Sequence, residues 1–343
     1  MIRTLASRLY GTVVRLRNRA YDQGYLRSVR IPVPVISVGN ITAGGTGKTP
    51  VVERLVEYYL RSGIRTAVVS RGYKRTSTGS VVVSDGKGSV VDVPSGGDEP
   101  VQIARKFPEA VVLADANRVR GCLRATQEFE VEVIILDDAY QHRAVGRSVD
   151  IVVLDASSAL YAQRLLPAGR LREPLVNLSR ADVLLLSRCE ADVAHEQMTL
   201  ALRAYSNVPV FATRFLPQHL RRLHDFGELP HDALRGASVV SFCGIGAPAS
   251  FLKTMDHMGI ASQQHHEFPD HHRFTDADIA MLLDGARAAG TVLLTTEKDA
   301  MRLLQHRTAL EGVDVLYPVM RLEFLGAEED FFRLLSERTS LRI

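Results

Sequence analysis

Cysteine is scarce in this chain. Cys122, Cys189 and Cys243 are its three, odd in number and far apart. That excludes a disulfide or cysteine-based metal framework and suits a reducing compartment. Long hydrophobic runs are also missing: none approaches the ~18 residues that span a bilayer. Excess charge of one sign is small, at +3 over 343 residues, so no nucleic-acid partner is expected. Internal repeats and low-complexity segments are absent. Acids are missing from the N-terminus, where Arg3, Arg8, Arg15, Arg17 and Arg19 precede the first one, Asp22. These arginines interrupt any apolar core a signal peptide would need. Between them Ile2, Leu5, Leu9, Val13, Leu16 and Ala20 recur every three or four residues, the pattern of an amphipathic helix with a cationic remainder. Such a helix can lie in an anionic membrane interface, each basic residue contributing about 1 kcal/mol. It can equally pack on its own domain with the basic face solvated.

What is abundant is aliphatic sequence in short runs. Hydrophobic residues make up 46% of the chain, enough for two domains of roughly 150 residues each. Val/Ile/Leu runs at 33–38, 66–70, 110–114, 131–136, 150–154 and 181–186 read as parallel strands buried on both faces. Helical segments alternate with them, which predicts a doubly wound, mostly parallel α/β sheet, and the glycine-rich run Gly44–Thr49 after the first strand makes the expected fold P-loop NTPase-like. A second, smaller α/β unit begins near Ala237, with strands at 239–242 and 290–295 and a helix at 250–258. Strand-like runs at 208–215 and 313–322 flank it and are expected to pair as a two-stranded linker. The expected division is residues 1–212, carrying the N-terminal amphipathic helix, and 213–324, with 325–343 returning to the first domain as a helix. Residues 77–97, rich in Ser, Gly and Val, are expected to form short strands and turns.

After the first strand comes Thr42-Ala43-Gly44-Gly45-Thr46-Gly47-Lys48-Thr49. A glycine-rich turn between a strand and a helix N-terminus directs several backbone N–H groups, and the positive end of the helix dipole, at one point. Lys48 adds a cation for the outer phosphates and the Thr49 hydroxyl is a Mg²⁺ ligand. The chain is therefore expected to bind a nucleoside triphosphate through residues 42–49. The usual spacing places glycine where Thr42 stands. Pro50 is tolerated in a first helical turn, and Val52, Leu55, Val56, Tyr59 and Leu60 then supply one buried helix face.

Other polar residues gather at strand ends, where an α/β sheet binds its ligands. The strand leading to Asp137 and Asp138 ends in two carboxylates, the place of a Mg²⁺-holding acid in a P-loop protein. Gly96-Gly97-Asp98-Glu99-Pro100 precedes a helix. By spacing alone, Asp98 reads first as an N-cap and second as a general base. His265-His266-Glu267 and Asp270-His271-His272 lie in the second unit without zinc-ligand spacing. A histidine crossing from there to an acid near the phosphates is the better use. Arg71, Arg118, Arg143 and Arg172 at strand ends or in loops suit phosphate recognition.

Taken in order, Ser37–Asn40 with Gly44–Pro50, Ser70-Arg71-Gly72-Tyr73, Gly97-Asp98-Glu99-Pro100 and Asp137-Asp138-Ala139-Tyr140-Gln141-His142-Arg143 form one set. Leu166–Pro174, Phe242–Gly246, Phe268–His272 and Thr296–Ala300 complete it. This set resembles the tetraacyldisaccharide 4′-kinase family, the lipid A 4′-kinases, from about residue 30 to residue 300. The family pattern has Gly where Ala139 stands, while Thr42 is in keeping with it. The resemblance implies transfer of the γ-phosphate of ATP to the 4′-hydroxyl of an acylated glucosamine disaccharide 1-phosphate, with Mg²⁺. It implies that Lys48 and Thr49 contact phosphate and metal and that Asp137 and Asp138 bind the metal. Asp98 becomes the general base rather than a cap, with His271 as its partner across the cleft. Tyr73, Glu99, Arg118, Gln141, His142, Arg172 and Glu173 become a surrounding shell for nucleotide, metal or sugar phosphate. An acylated acceptor favours an N-terminal helix on an anionic membrane, peripheral to the cytoplasmic face of the inner membrane. The chief rival, a partition-type switch ATPase, carries a signature lysine before its paired glycines, where this chain has Ala43.

Overall fold

The aliphatic runs become the strands of one twisted sheet in the computed structural model, which describes residues 2–158, 163–189 and 192–341. The Ile2 side chain, first in the N-terminal stripe, lies outside the described residues. Along the chain come α1 (Ile2–Asp22), β1 (Val35–Gly39), α2 (Lys48–Arg61), β2 (Thr66–Ser70), β3 (Val81–Asp85), α3 (Val93–Gly96) and α4 (Asp98–Lys106). Next are β4 (Val111–Ala114), α5 (Arg118–Phe129), β5 (Val133–Asp137), β6 (Val149–Asp155), β7 (Val183–Ser187), α6 (Asp192–Leu202), β8 (Val210–Arg222) and β9 (Glu228–Pro230). The second unit follows with β10 (Ser238–Cys243), α7 (Pro248–His257), β11 (Ala261–Glu267), α8 (Asp276–Ala289), β12 (Leu293–Leu294), α9 (Glu297–Leu303), β13 (Val315–Phe324) and α10 (Glu328–Thr339).

Thirteen strands share the sheet, in the order β11-β10-β12-β13-β8-β7-β6-β1-β5-β2-β4-β3, with β9 added on β8. β1 sits between two parallel neighbours, β5 and β6, reached in opposite directions. That is a topological switch point, and it opens a crevice at the carboxyl ends of the strands. The register sets Val38 beside Asp137, so the loop after β1 and the acid pair after β5 must share the crevice. Every residue of β1, β2, β5 and β7 is buried, as strands covered by helices on both faces require.

β8 belongs to both halves of the sheet. Its first residues run parallel to β7, Leu184 beside Val210, and from Thr213 to Arg222 it runs antiparallel to β13. Beyond β13, α10 packs back on the first half: Phe331, Phe332 and Leu335 are buried, and the Phe332 ring stacks on Tyr58 of α2 at 3.6 Å. A buried aromatic of this size contributes about 1.5–3 kcal/mol. In the second half, α8 begins with a capping box between Thr275 and Asp278 and ends at Gly290 in the left-handed conformation, φ 60°. Three strands depart most from the sequence expectation, one of them the three-residue β9, which was not foreseen. β12 is two residues long rather than six, and β11 was not foreseen, because its exposed Ser262, Gln263 and Gln264 carry no apolar alternation.

Candidate active site

The loop after β1 is held open by its own sequence. Positive φ falls on Gly44 (110°) and Gly47 (80°). Thr42 instead forms an antiparallel bridge with Leu171, a conformation that any residue adopts, so glycine is not needed there. The loop is braced on both sides. Ala43 N donates to Arg170 O at 2.7 Å, Arg170 Nε donates to Ala43 O at 3.0 Å, and Asn40 Nδ2 donates to Thr46 Oγ1 at 3.0 Å. Gly47 caps α2 with the Phe215 ring against it, where a methyl group would collide. A side chain on Gly45 would meet only open space. Residues 44–49 therefore present a braced, open-mouthed backbone cradle at the start of α2.

Opposite the cradle lie the two acids. Asp138 adopts the left-handed conformation (φ 47°) and accepts from Arg172 Nη1 at 2.9 and 3.0 Å, with Lys48 Nζ 3.4 Å away. Ala139 takes no such conformation, and its methyl is buried without strain. Burial pushes the Asp138 carboxyl up, but the charges of Lys48 and Arg172 outweigh it and hold the group below its ordinary value. Asp137 behaves in the opposite way. Buried and facing the charges of Glu99 and Asp138, it is pushed up to about 7; its Oδ2 accepts from Ser70 Oγ at 3.2 Å. Arg118, also buried, donates to Asp115 O at 2.7 Å and Asp137 O at 3.1 Å. It thus fixes the backbone that carries the acid pair. Gln141 donates to Asn40 O at 2.9 Å and ties the acid loop to the cradle. Burial, with the charge of Arg118, lowers His142 to about 4, so it is neutral at pH 7.

Asp98 is the first residue of α4, and the cap of that helix is Gly97 (φ 92°), with no side-chain cap bond. The N-cap reading of Asp98 is thereby corrected: glycine reaches a conformation closed to other residues and leaves the carboxylate free to turn elsewhere. Asp98 Oδ2 lies 3.1 Å from His271 Nδ1, and Arg302 Nε donates to the same oxygen at 2.7 Å. Burial pushes this carboxyl up, but the His271 hydrogen bond and the Arg302 charge prevail and hold it below its ordinary value. The Tyr73 ring packs edge-on to His271 at 5.0 Å, and Lys298 Nζ donates to Glu99 Oε1 at 3.0 Å. The second unit also reaches the cradle. A Cβ on Gly246 would stand 3.0 Å from Asp270 Oδ2 and 4.0 Å from Gly45 N.

Most residues singled out from sequence thus converge on one crevice. Glu173 turns away from it. Its buried carboxylate accepts from Asn18 Nδ2 (2.9 Å), Asn177 Nδ2 (2.6 Å) and Arg180 Nη2 (2.9 Å), which makes it an anchor for α1. Ser7 Oγ donates to Leu165 O and Tyr10 OH to Arg172 O, so α1 rests on the segment that braces the cradle. Sequence reasoning missed Asn40, Ser70, Asp270, Asp299 and Arg302. Only the placement of Lys298 and Arg302 one helical turn apart could have signalled a shared facing group.

The chain matches the family described as Tetraacyldisaccharide-1-P 4′-kinase (LpxK) over residues 2–340. It is 40% identical to a tetraacyldisaccharide 4′-kinase of Chlorobaculum parvum over 338 residues, 96% of this chain and 93% of that protein. It is also 40% identical to one of Chlorobium phaeovibrioides over 303 residues, 86% of this chain and 84% of that one. Among solved structures it resembles LpxK from Aquifex aeolicus in complex with ATP, at a TM-score of 0.79 and 34% identity, covering 99% of this chain and all of that one. On a whole-length match, and with the crevice built as described, the chain belongs to the tetraacyldisaccharide-1-P 4′-kinase family.

Proposed function

We propose that the chain is a kinase that moves the γ-phosphate of ATP to the 4′-hydroxyl of an acylated glucosamine disaccharide 1-phosphate, using the crevice between β1, β5 and α4. The observation that carries this reading is the meeting of Asp98 and His271, 173 positions apart in sequence and from different units of the sheet, at 3.1 Å. The backbone N–H groups of residues 44–49 and Lys48 hold the triphosphate, as a helix N-terminus with a cation does. Asp98 accepts the proton of the sugar hydroxyl, whose oxygen attacks the γ-phosphorus while the bond to the bridging oxygen breaks and ADP leaves. A carboxylate suits this task because an unassisted sugar alcohol is a poor nucleophile. Residues 1–212, with 325–343 returning, supply the nucleotide side. Residues 213–324 bring His271 and the Gly246 loop over the cradle and exclude water from the transfer.

Asp137, Asp138 and Thr49 would hold Mg²⁺. The donor set fits: a buried carboxylate pushed up to about 7 by its acidic neighbours is a site short of positive charge, and Mg²⁺ takes one or two carboxylates plus phosphate oxygens. When bound, the ion neutralises charge on the transferring phosphate.

The N-terminal helix supports a membrane surface as partner. Among the described residues no helix is long and apolar enough to cross a bilayer. Instead α1 buries Ser7, Val14 and Asn18 against the protein and leaves its apolar stripe outside, with Leu5 70%, Leu9 67% and Leu16 60% exposed. An exposed apolar row among arginines is the pattern of an interfacial helix, here on the cytoplasmic face of the inner membrane. Acyl chains of the acceptor would stay in that surface beside the crevice. Transfer of label from γ-labelled ATP to the disaccharide 1-phosphate, with and without Mg²⁺, tests the reading. Labelled lipid formed only with Mg²⁺ supports it, and ATP hydrolysis with no labelled lipid contradicts it.

A further inference from the structure

We propose that Arg302, with Lys298 one turn before it on α9, is a positioning residue that holds the Asp98–His271 pair as carboxylate and neutral, Nδ1-protonated imidazole. Arg302 is 5% exposed and is anchored independently of that pair. Its Nη1 donates to Gly244 O at 2.8 Å and to Asp299 Oδ1 at 2.6 Å. Asp299 is itself buried and accepts from Gly244 N at 2.9 Å and Thr296 Oγ1 at 2.7 Å. The guanidinium is therefore a fixed post from which Nε donates to Asp98 Oδ2 at 2.7 Å. Arginine and a charged lysine only donate. Arg302 Nη2 stands 3.2 Å from His271 Nδ1 and Lys298 Nζ stands 3.3 Å from His271 Nε2. Both ring nitrogens thus face donors, but only Nδ1 also has an acceptor within hydrogen-bond distance, Asp98 Oδ2 at 3.1 Å; the single ring proton therefore sits on Nδ1, Nε2 keeps the lone pair that Lys298 meets, and Arg302 Nη2 flanks Nδ1 without donating to it.

The charged and titratable groups around the pair are Glu99 from α4, Lys298, Asp299 and Arg302 from α9, Asp270 from the loop before His271, and Tyr73 with Lys74 from the loop after β2. Asp270 Oδ1 is 3.9 Å from Nε2 and half exposed, a weak counterweight to two cations. Both donors occupy Oδ2, so Oδ1 is the oxygen left to receive a proton from the acceptor. Arg302 does not touch the substrate; it acts by orienting Asp98 and keeping it ionised.

This inference rests on the reading of Asp98 as the base, and its test separates the two. In the full chain, Arg302→Met should lower kcat by about 10²-fold, as a misplaced catalytic group does, with KM for ATP unchanged. Removing a cation beside a carboxylate raises the pH at which it protonates, so the acid limb of kcat/KM should move up, and Arg302→Lys should restore part of the rate and move the limb back. Independently of activity, ¹⁵N NMR of wild-type His271 at neutral pH should show Nδ1 protonated and Nε2 bare. A protonated Nε2 in the wild type, or an Arg302→Met variant whose acid limb stays in place, overturns the inference. Wild-type protein that labels no lipid overturns the kinase reading instead, and the NMR result still stands. Should Arg302→Met fail to fold, Arg302→Lys and the wild-type spectrum decide.

Discussion

His271 Nδ1 and Asp98 Oδ2 lie 3.1 Å apart, although one residue comes from the turn before α8 and the other from the first turn of α4. Neither unit of the sheet holds both. Each side chain is mostly shielded from water, at 15% and 14% exposure, so the bond is screened little by solvent. Replacing His271 with Asn removes the ring that orients the carboxylate, and kcat should fall at least tenfold, ~10² at most being due to geometry alone. Steady-state transfer at saturating ATP checks this.

The same pair leaves a mark on stability. Asp98 is held below the ordinary carboxylate value, so its ionisation favours the folded state. That contribution is fully present above the unfolded value of about 3.9 and is lost as pH falls through the lower folded value. Asp98→Asn should therefore lower Tm at pH 7, and the difference from wild type should shrink as the pH falls below about 4. Thermal melts across this range read it directly.

Asp137 has the reverse sign. With its folded carboxyl pushed up to about 7, the ionised form is a burden on the fold that is complete above that pH and absent below the unfolded value. Asp137→Asn should raise Tm at pH 8, leave it nearly unchanged at pH 4, and abolish Mg²⁺-dependent transfer. A variant that is both more stable and inactive is the signature of a site that trades stability for a bound cation.

Lys48 stands 3.4 Å from Asp138 and at the head of α2. Lys48→Ala removes the mobile cation at the outer phosphates, and kcat should fall by about 10²–10³, the usual cost of a lost electrostatic donor. Tm should change little, because the Lys48–Asp138 pair is partly exposed and Asp138 keeps Arg172.

The exposed stripe on α1 gives a test free of catalysis. Leu9→Glu and Leu16→Glu replace side chains that are 67% and 60% exposed, so folding should be unaffected. Binding to vesicles of anionic lipid should weaken in a flotation assay. Unchanged binding would mean that the helix serves only to brace the segment ending at Glu173.

How much of this was legible in the sequence depended on what each residue's neighbours were. Buried parallel strands announce themselves as aliphatic runs, and β1, β2, β5 and β7 follow those runs to within a few residues. β11 sits at an exposed edge, where nothing selects for alternation, so polar Ser262–Gln264 gave no signal. The glycine-rich turn between β1 and α2 was readable because its pattern is local; the bridge that Thr42 makes was not, because its partner Leu171 is far along the chain. Glu173 follows Arg172 in sequence but faces the opposite way, toward Asn18 and Arg180. Spacing gave Asp98 to the cap, and only the fold shows Gly97 in that place. For Arg302 the only signal was its place one turn after Lys298 on the same helix, since what a buried cation faces is decided by packing between units.

The central claim is that Asp98 takes the proton while the cradle delivers the phosphoryl group. Its most direct test is single-turnover transfer of γ-phosphate from ATP to the disaccharide 1-phosphate by wild type and Asp98→Asn, with ATP binding measured on both. The account predicts unchanged ATP affinity and a transfer rate lower by about 10²–10⁴ in the variant, the range for a lost general base. A transfer rate near that of wild type in Asp98→Asn would contradict it.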